Sequence, residues 1–234
     1  MNTNNYIFFD FETGSLGANV TQPTQIAAVA VNGRTLEFTK NDIFSSEIQP
    51  ILDDEKAEAL GLHPVEDKAL ELTHKTREAL AEAPTIDVVW PKFVEFVKRY
   101  KDGNSQWGNP IAAGFNIVNF DLPIVNRICG REPWNLGPWD KKWEVNSLFH
   151  PRDVFDLQKF MGAIYENIPG VKSQSFDTYR SIYGFESTGM EHDARVDVIQ
   201  GAALMVRKLQ WMRKFCSRKK FENTMQDFDI KEFM

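Results

Sequence analysis

The chain has 234 residues, 42% hydrophobic and 26% charged, with a net charge of −6. This is ordinary globular composition with enough apolar material for a core, and no run of about 18 apolar residues marks a membrane span. A negative net charge argues against a protein that coats nucleic acid through many phosphate contacts, but not against one that grips only a strand end. Met1 to Asn5 lacks the basic start and apolar stretch of a secretory signal. The only two cysteines, Cys129 and Cys216, have no metal-type spacing, which fits a reducing, cytoplasmic setting.

In chain order, Tyr6 to Asp10 reads as a short buried strand, aromatic and β-branched with no Gly or Pro. Asp10 and Glu12 follow at i and i+2, so on an extended chain they project from the same face. The loop from Gly14 to Asn19 is rich in turn residues, and its glycines permit close backbone approach. Gln25 to Val31 predicts a second strand. Asn32-Gly33 reads as a tight hairpin, with a third strand from Arg34 onward possible as far as Gln49. Residues 53–60 and 65–80 predict short helices, punctuated by Gly61 and Pro64.

Val89, Phe93, Phe96, Val97 and Tyr100 recur at helical spacing, predicting a helix over 87–100 with Thr85 as its cap. Ile111 to Phe115 predicts a central strand, and Asn116 to Asp121 the turn into a helix reaching about Cys129. Residues 130–152 hold three prolines and three tryptophans, Trp134, Trp139 and Trp143. Prolines oppose a long regular element, and tryptophans require burial or a flat ligand. Two readings stay open there: an insertion packed on the core, which is the simpler, or a stacking surface for single-stranded bases. Residues 153–156 predict a last short strand, with helices over 157–165, 175–183 and 193–215. Asp193 is expected to cap the last of these.

Two further motifs complete a set of carboxylates. Asn116-Ile-Val-Asn-Phe-Asp121 places Asp121 at a strand-to-helix edge, where ligands bind in open α/β sheets. His192-Asp-Ala-Arg-Val-Asp197 places Asp197 in the first turns of a helix among apolar neighbours, where a buried carboxylate wants a partner. The order Asp-x-Glu, Asn-x-x-x-Phe-Asp, His-x-x-x-x-Asp resembles the DEDDh, or DnaQ-like, superfamily of 3′-to-5′ exonucleases. The resemblance runs from about Tyr6 to Leu209. Residues 113–123 also look like the second exonuclease motif of family B DNA polymerases, and Asp156 reads as structural.

The resemblance implies an α/β, RNase H-like fold, with a five-stranded mixed sheet and helices on both faces. It implies an exonuclease domain over 1–215, with the Trp-rich stretch at about 130–152 as an insertion and a tail over 216–234. It gives Asp10, Glu12, Asp121 and Asp197 as ligands of two Mg²⁺ or Mn²⁺ ions, a choice that all-oxygen ligands favour. His192 becomes the general base for the attacking water. Thr13 and Gly14 would contact the terminal nucleotide through backbone N–H groups, Leu16 would wedge against its base, and Asn116 would touch the strand backbone.

The implied reaction is metal-dependent release of 5′-mononucleotides from the 3′ end of a single strand, on DNA in a proofreading or repair setting. An RNase T-like RNA trimming enzyme and a polymerase accessory or end-binding protein stand as alternatives. From Arg207 to Lys220 seven residues are basic and none acidic, a solvated helix face or, less simply, a backbone-binding stripe. Thr224 to Met234 alternates acidic and apolar residues; it packs on the body or docks a polymerase or replication partner.

Overall fold

The computed structural model of the chain describes residues 4–130, 132–138, 147–185 and 193–218. Five strands form one mixed sheet: β1 (Tyr6–Thr13), β2 (Pro23–Val31), β3 (Ile43–Glu47), β4 (Ile111–Gly114) and β5 (Val154–Asp156). Their spatial order is β3-β2-β1-β4-β5. The first three pair antiparallel, whereas β4 lies parallel to both β1 and β5. This is the RNase H-like arrangement, with β1 in the centre.

Strict alternation along β1 assigns its two faces. Ile7, Phe9 and Phe11 enter one core with Ile26, Ala28 and Ala112, under helices α4 (Ile86–Lys98) and α5 (Asp121–Gly130). Phe8 enters the other core with Ala27, Val29 and Ala113, under α6 (Leu157–Tyr165), α7 (Phe176–Tyr183) and α8 (Ala194–Arg218). Asp10 and Glu12 continue the Phe8 face, so the period of two aims both carboxylates toward α7 and α8.

Local chemistry explains most element ends. Asp53, Thr76, Ser175 and Asp156 each accept a backbone N–H at the start of α1 (Asp54–Ala59), α3 (Arg77–Ala81), α7 and α6. Asp193 accepts from the N–H groups of Arg195 and Val196, the expected cap of α8. Asp156 also accepts from the Val118 N–H, so it is structural as expected.

Three expectations are corrected. Asn32-Gly33 is not a two-residue hairpin: β3 begins only at Ile43, after a longer connection with a short 3-10 turn over Lys40–Asp42. The Asn32 carboxamide accepts from the Arg34 and Thr35 N–H groups. Gly33 is required because a Cβ there would meet the Asn4 carbonyl oxygen at 1.8 Å. The helical stretch 65–80 is two helices, α2 (Asp67–Leu72) and α3, separated where His74 takes φ 55. Thr85 holds the N-cap position of α4 but its side chain makes no cap bond.

In the Trp-rich stretch, Trp134 packs against the α4–α5 core, its ring 5.0 Å from the Arg127 guanidinium carbon. Leu148 and Phe149 are buried in that same core. Trp139, Trp143, His192 and the tail from residue 219 lie outside the described residues. Among the described residues no helix is long and apolar enough to cross a membrane.

Helix α8 approaches β1 closely at Gly201, where a Cβ would lie 2.4 Å from the ring of the buried Phe8. Gly201→Val should therefore destabilise the fold by about 1–3 kcal/mol through overpacking. Urea denaturation would measure it, and wild-type stability would show that the helix can move away.

Candidate active site

The site is built where the sheet runs out. In the parallel register Phe8 lies opposite Ala113, and β4 ends at Gly114 while β1 continues to Thr13. Among the described residues, the β4 side of β1 has no strand partner beyond that point. The Phe11 N–H there donates to the Asp121 carboxylate at 3.0 Å. One bond thus ties the start of α5 to the strand bearing Asp10 and Glu12. The turn between is tight: Asn116 takes φ 57 and its carbonyl accepts from the Asn119 and Phe120 N–H groups.

From the opposite side α8 supplies Asp197 one turn into the helix. Ligand oxygens of Asp10, Glu12 and Asp197 all lie within 4.8 Å of one another. Asp121, almost fully buried, faces the same cleft without joining that tight group. The cleft is open, about 420 Å³, with aromatic walls from Phe115, Phe120 and Phe176. The four carboxylates read from the sequence therefore converge from β1, α5 and α8.

Sequence reading missed three residues that hold this arrangement. Arg180 on α7 is buried and donates to Asp197, to Asp177 at 2.7 Å and to Gln200 at 2.7 Å, with its guanidinium carbon 4.1 Å from the centre of the Phe176 ring. Gln25, opposite Glu12 in the sheet, accepts from the Ala194 N–H and so fixes the start of α8 to β2. The Lys75 ammonium donates to the same Gln25 oxygen at 3.0 Å and lies 3.5 Å from Glu47. Periodicity carries no trace of these contacts, which join residues far apart in the chain.

Of the expected substrate contacts, Leu16 is 82% exposed beside Thr13 and Glu12. Asn116 lines the cleft, its carboxamide bonded to Asn119. The Gly14 N–H is already given to the Gln22 carbonyl at 2.8 Å, so the expected contact through that group is not available. The Thr13 hydroxyl donates to the Ser15 carbonyl.

Crowded carboxylates are costly to ionise. Burial, and then the charges of Asp121, Glu12 and Asp197, hold the Asp10 carboxyl well above its usual range, against the opposing Arg180 cation. Burial, and then Asp197, push Glu12 up to about 8, with Lys75 opposing. Burial pushes Asp121 up to about 8 despite the Phe11 N–H bond. An all-oxygen set of this kind, desolvated and mutually repelling, fits a hard divalent cation, which would relieve the repulsion and favour the ionised forms.

The sign of the resulting pH dependence is fixed. These carboxyls bind protons more tightly folded than unfolded, so they add stability below their ordinary values of 3.8 and 4.5. That stability is lost as pH rises toward about 8. In EDTA the melting temperature should fall across this range, and saturating Mn²⁺ should flatten the fall. A metal-free protein whose stability rises with pH over the same window would contradict the assignment.

Residues 7–120 match the family model RNase_T, described as exonuclease. No curated protein matches the sequence. Among solved structures, Exonuclease I, in a study of how processivity is achieved, matches with TM-score 0.64 at 19% identity, covering 86% of this chain and 40% of its own. Exonuclease I of E. coli in complex with a dT13 oligonucleotide matches with TM-score 0.65 at 17% identity, covering 95% and 46%. Cell-death related nuclease 4 matches with TM-score 0.63 at 15% identity, covering 89% and 64%. The chain thus spans 40% to 64% of the length of these proteins, and at such identities the likeness is one of fold. The matched segment carries Asp10 and Glu12 and stops one residue before Asp121, so over residues 7–120 the chain is similar in sequence to the RNase_T exonuclease family, and as a whole it is similar in fold to these exonucleases.

Proposed function

We infer that the protein is a divalent-metal-dependent 3′-to-5′ exonuclease that releases 5′-mononucleotides. The observation that carries this is the convergence of Asp10, Glu12 and Asp197 within 4.8 Å, with Asp121 beside them. Asp10, Glu12, Asp121 and Asp197 would hold the ions. Two divalent ions bound here, Mg²⁺ or Mn²⁺, would orient the scissile phosphate, activate a water and stabilise the leaving 3′-oxygen.

The chain's own groups supply the rest. The four carboxylates fix where charge can be placed, because β1, α5 and α8 each clamp at least one of them. Exposed Leu16 would lie against the terminal base, and Asn116, which lines the cleft, would touch the strand backbone. His192, one residue before the Asp193 cap, is assigned as the base that takes the proton from water, in keeping with the motif His192-x-x-x-x-Asp197. A single strand suits an acidic protein with an open cleft, since few phosphates need neutralising. DNA is the first substrate to test, because E. coli Exonuclease I, similar in fold, is solved with a dT13 oligonucleotide.

The test is purified protein with labelled single- and double-stranded DNA and RNA, in Mg²⁺, Mn²⁺ and EDTA. Mononucleotides should appear from 3′ ends only with metal, and degradation that survives EDTA would sink the reading. Preference for the RNA strands would instead indicate an RNA trimming enzyme. Asp10→Ala and Asp197→Ala should abolish cleavage while the fold persists, because each removes a ligand and relieves repulsion. Circular dichroism alongside turnover separates the two effects. His192→Ala should lower turnover by roughly 10²- to 10⁴-fold with metal binding intact. Lost metal affinity at an unchanged saturated rate would make His192 a ligand instead.

A further inference from the structure

Arg180 is the one basic residue among the described residues that line the cleft. Its guanidinium is engaged on every side: Nη2 donates to Asp197, Nη1 to Asp177 and Nε to Gln200, and Phe176 covers its face. A planar fork held at three edges and one face loses little further freedom by orienting a carboxylate. The geometry points to Arg180 as a positioning residue that fixes the Asp197 carboxylate for cation binding, a role that rests on the metal-dependent reading above.

Two effects compete, and the structure decides between them. A guanidinium beside a metal ligand repels an incoming cation, which would make Arg180 a competitor. Yet Asp177 lies 2.7 Å from the same guanidinium and offsets its charge, leaving the Arg180–Asp177 pair close to neutral. Asp177 belongs to the first turn of α7, lines the same cleft and has a side chain 65% exposed. Orientation then outweighs repulsion. Asp197 comes from α8 and Arg180 from α7, so the pair also sets the spacing of the two helices at the site. Partners of this kind, one bond removed from a metal, are worth about 10- to 100-fold in affinity.

The experiment is calorimetric titration of Mn²⁺ into the full-length protein, with melting temperature as a control on folding. Arg180→Gln should weaken Mn²⁺ binding by about 10- to 100-fold. Turnover by Arg180→Gln should need about 10- to 100-fold more Mn²⁺ than wild type to reach half of its own maximum. Equal or tighter Mn²⁺ binding by folded Arg180→Gln would overturn the proposal. Should that variant fail to fold, Asp177→Asn serves, because Asp177 is exposed and its loss leaves the Arg180 charge less compensated. Its Mn²⁺ affinity should fall several-fold, and unchanged affinity would equally overturn the role. Wild-type protein that takes up no Mn²⁺ would fail the functional reading itself; wild-type uptake with an unaltered Arg180→Gln fails only the role of Arg180.

Discussion

The fold is arranged around a cost: four carboxylates brought together in a partly dry cleft repel one another and resist losing water. No single element could hold such a set, so each is tied to a different anchor. Asp121 is bonded by the Phe11 N–H, Asp197 by Arg180, and Glu12 feels the buried Lys75 ammonium. Asp10 and Glu12 are held by the strand itself, clamped on the β2 side along its whole length. The rest of the molecule serves to keep those anchors in register.

That register depends on β1 being central and strictly alternating. One of its faces is fully apolar, with Ile7, Phe9 and Phe11 in the α4–α5 core. The other carries Phe8 and then changes to acid at Asp10. A slip of one residue would turn the two acids into the α4–α5 core and Phe9 and Phe11 toward α7 and α8, so the core fixes the position of the carboxylates. The contact of Gly201 with Phe8 brings α8 close to β1, and α8 carries Asp197 one turn from its start.

The carboxylates and most elements were legible because their signals are local: period two in β1, the helical stripe in α4, and the capping side chain at Asp193. The ordered motifs then identified which acids belong together. What could not be read is what depends on distant partners. Arg180 resembles any surface arginine of an amphipathic helix until α8 is placed beside it. Gln25 and Lys75 are ordinary polar residues until the N-terminus of α8 and the α2–α3 turn meet over β2. The Asn32-Gly33 error has the same origin. The glycine reports the passage of Asn4 close by, a tertiary contact, and not a hairpin turn. Similarly, the Gly14 N–H belongs to the loop's own bonding with Gln22, which the sequence alone gave no means of anticipating.

The unequal lengths of β1 and β4 reach beyond the geometry of one cleft. Because β4 stops at Gly114, one wall of the site is a loop, residues 115–120, and not a hydrogen-bonded strand. A strand there would have coupled every residue of that wall to the sheet. The loop is fixed instead by side chains and turns: Ile117 buried in the core, Phe115 against Phe176 and Tyr179, the Asn116 turn, the Val118 bond to Asp156 and the Asp121 anchor. Side chains of this wall can change with little effect on the sheet, while Asp10 and Glu12 stay fixed by the pairing of β1 with β2.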